Sequence, residues 1–449
     1  MRPADLVPAT GEVVELLQQL IRNACVNDGR PESGEEARNT DALVAHLEGS
    51  GIDMERFPSG PGRDNLVARI EGRDPAAPKI CLMGHTDVVP VNPSGWDEDP
   101  FGGDLVAGEV WGRGAVDMLN LTASMAVVAR ALGRSGWRPP GDIVFLAVAD
   151  EEAAGRFGAG FMVEHHWDAI ACDYVLTENG GLVSGPANAP TVSMNVAEKG
   201  FAWRRLVVRG TPGHGSMPYG ADNALLKAAE VVRRLHAYRP PTVIDELWRQ
   251  RVATLDLSPA TRADLLDPTR AYDAIATLGG SAAAGHFHAC THTTFAPTMA
   301  HGGVKTNVIP DLVDLDVDIR TLPGETAESV SEHLRLALGE LAEHVEVSAL
   351  ADSTATSSPT GTPLWEAMAA ASRASFPGAQ LAPGMVVGFT DARFFRERDV
   401  VAYGAGLFSP SLSGADFSAR FHGNNERVDV ESLRLTTEFY LRTLDRLWA

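Results

Sequence analysis

The sequence predicts an α/β protein in which a doubly wound, mostly parallel sheet domain is interrupted by a smaller α+β domain. Helices alternate with apolar strands up to about Pro190, and α/β-type sequence returns after residue 353. Between these parts the pattern is that of a split βαβ, or ferredoxin-like, unit. With 449 residues, the chain is also too long for one ordinary core. We therefore predict that residues 1–195 and 353–449 form one domain and residues 196–352 another.

Apolar spacing predicts the elements of the first part. Two early segments have apolar residues at helical spacing, and a later helix is rich in small residues, which allow close packing on a sheet. The run 143–148 is continuously apolar, which is typical of a strand buried on both faces. The predicted elements are helices at 11–22, 36–47 and 119–132, and strands at 65–70, 79–83 and 142–149.

The middle part shows a different pattern, with strands that alternate between apolar and polar residues. We interpret its order as strand, helix, strand, strand, helix, strand, which is a split βαβ unit. Residues 242–289 are rich in Leu and Ala and predict extra helices. The predicted elements are strands at 201–209, 311–320 and 344–350, helices at 222–237 and 327–341, and, after a polar connector at 354–361, a helix at 363–375.

Composition limits the possible partners. The formal charge of −21 disfavours nucleic acid and anionic membranes, because both would repel the protein, and it leaves a small molecule as the expected partner. The four cysteines have no paired spacing, which argues against a disulfide framework or a thiolate zinc site. No signal sequence or membrane-spanning run is visible, so a cytoplasmic location is expected.

Carboxylates and imidazoles follow the predicted strands where such sheets build their sites. His85 and Asp87 lie two residues apart at a strand end, so one can bind a metal ion while the other orients it. Asp117 lies between a glycine-rich segment and a helix, where a carboxylate can bridge two cations. Taken alone, His85 would indicate only a strand-end turn, and Asp117 would more often be a helix N-cap.

Three successive carboxylates, those of residues 150–152, follow the buried strand predicted at 142–149. They repel one another unless a cation or proton intervenes. Glu152 can bind a metal ion while Glu151 takes a proton from bound water. Glu178 ends a further apolar strand, and His422 lies in the last part of the chain.

This mixture of oxygen and imidazole donors predicts two divalent ions, with zinc as the first choice and cobalt or manganese as alternatives to it. With Asp117 shared, His85 and Glu178 would complete one site, and Glu152 and His422 the other. Calcium is disfavoured because it would not recruit histidines.

These motifs resemble those of the co-catalytic zinc peptidase and aminoacylase family, which includes aminoacylases, succinyl-diaminopimelate desuccinylases, glutamate carboxypeptidases and carnosinase-like dipeptidases. The resemblance covers most of the chain and includes His-Thr-Asp at 85–87, Gly-Arg-Gly-x-x-Asp-Met at 112–118, Asp-Glu-Glu at 150–152 and His-Gly at 422–423. It implies that the five ligands bind two metal ions, that Glu151 is the general base and that Asp87 supports His85.

The middle part is similar to the lid domain of that family, which usually also forms the dimer interface. The segment 210–216 resembles the start of the lid, and the resemblance implies that His214 stabilises the oxyanion. It further implies that Asn307 and Arg320 contact substrate, that Arg393 binds the substrate α-carboxylate and that the protein is a homodimer through the lid. One departure is that residues 119–120 are Leu-Asn where the family usually has Lys-Gly. Because the missing lysine is not a metal ligand, the metal site should survive, while the substrate preference can differ.

We therefore predict a metal-dependent amidohydrolase that cleaves the amide of an N-acyl-amino acid or short peptide with a free carboxylate. Metal-bound hydroxide would be the nucleophile and Glu151 the base. A dipeptidase or carboxypeptidase of the same family is one alternative. A non-catalytic metal-binding protein that retains the fold is another, although such a protein would not need Glu151.

Overall fold

The computed structural model describes residues 2–449, except for the side chains of residues 281 and 282. The strands are β1 (Asp53–Gly60), β2 (Arg63–Ile70), β3 (Ile80–His85), β4 (Leu105–Val106), β5 (Glu109–Trp111), β6 (Ile143–Val148), β7 (Tyr174–Thr177), β8 (Val183–Ser184), β9 (Thr191–Glu198), β10 (Gly200–Arg209), β11 (Gly213–His214), β12 (Thr294–Gly302), β13 (Val308–Ile309), β14 (Leu312–Thr321), β15 (Val345–Ser353), β16 (Thr356–Ser357), β17 (Gln380–Val386), β18 (Val401–Gly404) and β19 (Arg427–Asp429). The α-helices are α1 (Thr10–Arg22), α2 (Ala37–Leu47), α3 (Leu119–Ser135), α4 (Ala159–His165), α5 (Trp167–Ile170), α6 (Ala224–Ala237), α7 (Glu246–Ala253), α8 (Pro259–Leu265), α9 (Ala271–Ile275), α10 (Ser281–Thr291), α11 (Ala327–Leu338), α12 (Pro363–Ser375), α13 (Ala392–Arg396), α14 (Gly414–Arg420) and α15 (Val430–Leu447).

The chain divides into two compact units. The first unit extends to Val196 and resumes at Ser358–Gly384 and Thr390–Ala449, and the second comprises Ala197–Ser357 and Met385–Phe389. The sheet of the first unit has the strand order β1-β2-β6-β3-β7-β18-β9. Its four central strands, β6, β3, β7 and β18, run parallel, and antiparallel strands flank them. The second unit has a separate antiparallel sheet, and together these findings confirm the predicted α/β class with an inserted α+β domain.

Helices cover both faces of the central sheet. All six residues of β6 are buried, as the apolar run predicts, and its alternate side chains point to opposite faces. Val144 and Leu146 pack in one cluster with Met162 of α4 and Phe395 of α13. Helix α3 contacts β3 and β6 and packs against α1 and α15. This burial on both sides holds the carboxyl ends of the parallel strands in fixed positions.

The second unit has a four-stranded sheet in the order β12-β14-β10-β15, and each neighbouring pair is antiparallel. Helices α6 and α11 pack on it, with Val231 and Leu334 in one core with Leu206 and Leu315. The strand that the sequence analysis could not locate is β12. It lies at the sheet edge and is largely exposed, so its residues do not show an apolar alternation.

Four short helices, α7 to α10, lie between α6 and β12 and confirm the helices predicted for residues 242–289. They form a small core of their own around Trp248, Val252, Leu265 and Ile275. Within residues 2–449, no helix has both the length and the apolarity needed to span a membrane. The cytoplasmic location stays a prediction.

Candidate metal centre

Three neighbouring parallel strands end next to predicted metal ligands. His85 is the last residue of β3, Glu152 lies in the turn after β6, and Glu178 immediately follows β7. Because these strands are adjacent and parallel, their carboxyl ends lie at the same edge of the sheet. Thr122 of α3 donates a hydrogen bond of 2.8 Å to the carbonyl of His85, which fixes the end of β3.

Asp117 lies between the two predicted histidine ligands. Its Oδ1 is 3.2 Å from Nε2 of His85, and its Oδ2 is 2.8 Å from Nε2 of His422. The same Nε2 of His422 is 3.2 Å from Oε2 of Glu152. Each oxygen of one carboxylate therefore faces a different imidazole, which is the arrangement required of a carboxylate that bridges two cations. The His422 side chain is 47% exposed, so solvent reaches the cluster from this side.

Two overlapping groups of donor atoms complete the cluster. Donor atoms of His85, Asp117 and Glu152 lie within 4.8 Å of one another, and so do those of His85, Glu151 and Glu178. The side chains of the five residues in these two groups, which do not include His422, are almost fully buried. The structure thus brings all the predicted metal ligands and Glu151 into one cluster.

Asp87 connects the first histidine to the acidic turn after β6. Nδ1 of His85 lies 2.9 Å from the backbone carbonyl oxygen of Asp87 and 3.4 Å from its Oδ1. Since the carbonyl oxygen can only accept, Nδ1 of a neutral ring carries the proton and the Nε2 lone pair points towards Asp117. The backbone N–H groups of Glu151 and Glu152 donate to the Asp87 carboxylate at 3.2 and 3.1 Å. Asn27 donates to it at 2.8 Å.

The acidic turn has a strained backbone that side-chain contacts hold in place. Asp150 and Ala154 have φ values of 67° and 80°, in the left-handed region that non-glycine residues seldom adopt. The Asp150 carboxylate accepts the backbone N–H of Phe157 at 3.0 Å and lies 3.0 Å from Arg63. Arg63 also donates to Glu36 at 2.7 Å, and both of these side chains are buried. This network holds the turn that presents the two following glutamates.

In the absence of a cation, the cluster retains protons. Burial raises the pKa of Glu151 and of Glu178 well above the usual range. Burial, and then the charge of Asp117, raises the pKa of Glu152 to about 7. Hydrogen bonds to Asp117 and Glu152 raise the pKa of His422 to about 10. The carboxylates are thus too close together, and too deeply buried, to be ionised without compensating positive charge.

The cluster fits divalent cations. Zinc ligands at about 2.0–2.2 Å place two donors of a tetrahedral ion about 3.4 Å apart. The separations of 3.2 Å between His85 and Asp117, and of 3.2 Å between His422 and Glu152, are close to that value. Oε1 of Glu152 is buried and has no hydrogen-bond partner among the described residues. A cation would supply both the missing partner and the missing positive charge.

The segment 390–393 lies beside the acidic turn. Arg393 donates a hydrogen bond of 2.6 Å from Nη2 to the carbonyl of Ala154. A Cβ atom on Gly155 would lie only 2.2 Å from Oδ1 of Asp391, which shows how closely this segment approaches the turn. Both carboxylate oxygens of Asp391 are buried without a hydrogen-bond partner in the described part of the chain, and burial raises its pKa to about 7.

In the second unit, His214 and Asn307 lie side by side. β11 pairs with β13, and the backbone N–H of Gly215 donates to the carbonyl of Asn307 at 2.8 Å. Both predicted residues are exposed, and Nδ1 of His214 lies 2.7 Å from the hydroxyl of Ser216. Two polar side chains are therefore presented together on the surface of this unit.

Arg320 lies on β14 and is already paired. Its Nε and Nη2 atoms donate to the Asp318 carboxylate at 2.8 and 3.2 Å. Three aromatic rings, those of Phe201, Trp203 and Phe389, have centroids 5.8 to 5.9 Å from its guanidinium carbon. Its Nη1 atom is buried and has no hydrogen-bond partner within residues 2–449, so one donor remains for a ligand.

Comparison with known proteins identifies the family. The model of peptidase family M20/M25/M40 matches residues 81–446. The chain belongs to this family. It is 30% identical to aminoacylase-1 of Sus scrofa over 417 residues, which cover 90% of each chain. It is 29% identical over 423 residues to succinyl-diaminopimelate desuccinylase of Rhodospirillum centenum, covering 92% of this chain and 93% of that one.

Among solved structures, an M20 family metallo-carboxypeptidase from Sulfolobus solfataricus superposes with a TM-score of 0.72 at 16% identity, covering 97% of this chain and 99% of that one. As a member of the M20 family, the chain is a metallohydrolase that acts on amide or peptide bonds. Leu119 and Asn120, which depart from the usual family motif, are both buried at the start of α3.

Two residues of the site region escaped the sequence analysis. Asn27 lies in a loop and carries no motif, and only its contacts with Asp87 and Asp150 show its place. Asp391 lies two residues before Arg393, in a segment that the sequence analysis considered only for the arginine. Both belong to types that are common in turns, so a single sequence contains no signal that separates them from turn residues.

Binding of divalent metal to the metal-free protein should release protons. At pH 7 His422 is protonated, because its pKa is raised to about 10, and Glu152, whose pKa is raised to about 7, is partly so. Both must lose these protons to bind metal ions. Titration calorimetry with Zn²⁺ in buffers of different ionisation enthalpy should show release of at least one proton per chain at pH 7. Metal uptake without any proton release would contradict these protonation states.

Proposed function

We propose that this metallohydrolase cleaves the amide of an N-acyl-amino acid, or of a short peptide, with a free carboxylate. The observation that carries the proposal is the position of Asp117, whose two oxygens face His85 and His422 separately. Glu151 lies in the same cluster, where a base could reach a water molecule. The names of the aminoacylase and desuccinylase relatives support an N-acylated substrate.

Two divalent ions would be held by Asp117 together with His85 and Glu178 on one side and Glu152 and His422 on the other. When bound, such ions lower the pKa of water and polarise a carbonyl oxygen. Zinc suits this mixture of imidazole and carboxylate donors, and cobalt and manganese are the alternatives to it.

Glu151 would act as the general base. It accepts a proton from the attacking water and later returns that proton to the leaving nitrogen. The adjacent Glu152 binds metal, and Asp87 fixes the backbone of both glutamates while it orients His85. This arrangement would keep the base close to the reacting atoms.

Four further side chains would bind substrate. Arg393 lies beside the acidic turn, and its planar guanidinium matches a carboxylate, so we assign it to the free carboxylate of the substrate. His214, which lies beside Asn307 on the second unit, would stabilise the oxyanion, and Asn307 would contact the substrate. Arg320 has one donor left, Nη1, for a further substrate contact.

Replacement of Glu151 by Gln tests the base directly. Because glutamine keeps the shape but cannot accept the proton, kcat should fall about 10²- to 10⁴-fold while both metal equivalents remain bound. Steady-state kinetics and elemental analysis of the same preparation measure the two effects. The matched control is Glu164→Gln on α4, whose carboxylate is exposed, and it should leave kcat unchanged. Activity of Glu151→Gln close to that of the unmodified protein would remove Glu151 as the base.

A dipeptidase or carboxypeptidase activity is the second candidate, favoured by the name of the Sulfolobus neighbour. A panel of N-acyl-amino acids, their carboxamides and dipeptides, with and without chelator, separates the candidates. We expect faster cleavage of N-acyl-amino acids than of dipeptides, loss of cleavage with the carboxamides, and loss with chelator. Faster cleavage of dipeptides would favour the second candidate. Metal binding without cleavage of any compound in the panel would exclude both candidate substrate classes.

We also propose a homodimer formed through the second unit. Strands β12 and β15 lie at the two edges of its four-stranded sheet, and Met299 and Leu350 on them are 51% and 45% exposed. Such edges are suited to pairing with a second copy of the sheet.

Sedimentation analysis should give about twice the chain mass of 47.8 kDa. Glutamate at both Met299 and Leu350 should shift the protein to the monomer, because it places charge at the proposed interface. The control, Leu336→Glu on α11, changes a residue that is also 51% exposed and should remain dimeric. A monomer at all concentrations of the unmodified protein would contradict the proposal.

A further inference from the structure

Glu426 is a fully buried carboxylate at the point where two distant chain segments meet. Its Oε1 accepts the backbone N–H groups of Val116 and Asp117 at 2.7 and 3.0 Å. Its Oε2 accepts a hydrogen bond of 2.7 Å from Nη1 of Arg113. One side chain thus binds the backbone of the bridging aspartate and its neighbour, from a position four residues after His422.

Arg113 extends the same contact to the second histidine. Its Nη2 donates to the backbone carbonyl of His422 at 3.3 Å, while its guanidinium carbon lies 5.5 Å from the centroid of the Trp96 ring. Arg113 is only 3% exposed. The buried pair of Arg113 and Glu426 therefore touches the backbone on both sides of the contact between Asp117 and His422.

The two segments are already joined without this pair. β19 pairs with β5 through Arg427 opposite Trp111, and the carbonyl of Glu426 accepts the backbone N–H of Gly112 at 3.0 Å. The side-chain contacts of Glu426 lie beyond this ladder, on the side of the ligands. A buried ion pair is expensive to desolvate and contributes little net stability. The presence of this pair is therefore better explained by the precise positions that its hydrogen bonds impose on the neighbouring backbone than by a gain in stability.

We propose that Glu426 and Arg113 are positioning residues that set the separation of Asp117 and His422, and thereby the affinity for the metal ion that these two ligands share with Glu152. The inference rests on the proposed function, because it assumes that this cluster binds two ions. Neither residue contacts the reacting atoms. Their effect passes through hydrogen bonds to ligand backbone, and loss of such outer contacts typically costs about 10- to 100-fold in metal affinity or activity.

The decisive comparison is Glu426→Gln against Glu109→Gln. Glu109 accepts hydrogen bonds from Arg420 and Arg427 at 3.0 Å each and so links the same two segments through ionic contacts, but it makes no hydrogen bond to the ligand backbone. Calorimetric titration with Zn²⁺ should show the second metal equivalent of Glu426→Gln weakened about 10- to 100-fold, with the first equivalent retained. Glu109→Gln should bind both equivalents as the unmodified protein does.

Two further variants keep the test informative if Glu426→Gln folds poorly. In Arg113→Lys the charge remains, but a single ammonium cannot reproduce the forked contact, so the second equivalent should again be weakened. In the double variant Arg113→Met with Glu426→Leu, no buried charge is left unpaired, and the acceptor for the backbone N–H groups of Val116 and Asp117 is also removed. We expect its second equivalent to stay weak and the visible absorption spectrum of its Co²⁺ form to differ from that of the unmodified protein.

Three outcomes would overturn the inference. Unchanged affinity for both equivalents in Glu426→Gln and in the double variant would exclude a positioning role. Equal weakening in Glu109→Gln would show that the variants act only by lowering the overall stability of the protein. Full recovery in the double variant would reduce the role of Glu426 to neutralising Arg113. If the unmodified protein bound two ions and cleaved amides in any of these cases, the proposed function would survive. If it bound no second ion, the proposed function would fail, and this inference with it.

Discussion

The arrangement of the site depends on the repulsion between carboxylates that are buried together at the end of a parallel sheet. Burial raises the pKa of Glu151 and Glu178 well above the usual range, and the imidazoles on either side of Asp117 compensate its charge. In water such a cluster would disperse. Here the sheet is covered by helices on both faces, which keeps the carboxyl ends of its strands in place. The carboxylates therefore cannot move apart, and a bound positive charge is needed to stabilise them.

The same constraint explains the polar network behind the cluster. Asp87 accepts hydrogen bonds from the backbone of Glu151 and Glu152 and from Asn27, and Asp150 is held by Arg63. These contacts stabilise a left-handed turn that would otherwise be unfavourable. The proposed base, Glu151, and the proposed ligand, Glu152, can therefore occupy adjacent positions in the chain and still have different functions.

Local patterns in the sequence predict much of this molecule, because the predicted ligands follow buried strands that apolar runs reveal. Contacts that depend on the tertiary structure could not be predicted from such local patterns. The exposed edge strand β12 has no alternation, and the predicted helix at 327–341 ends at Leu338, where Gly339 adopts a φ of 58°. The roles of Asn27 and Glu426 arise from partners far away in the chain. The substrate contacts proposed for His214, Asn307, Arg320 and Arg393 rest on resemblance and remain predictions.

The most direct test of the central claim is anomalous diffraction at the zinc edge from crystals of the metal-loaded protein. The account predicts two peaks, one on each side of the Asp117 carboxylate, the first next to His85 and Glu178 and the second next to Glu152 and His422. A single peak, or two peaks that do not share Asp117, would contradict it.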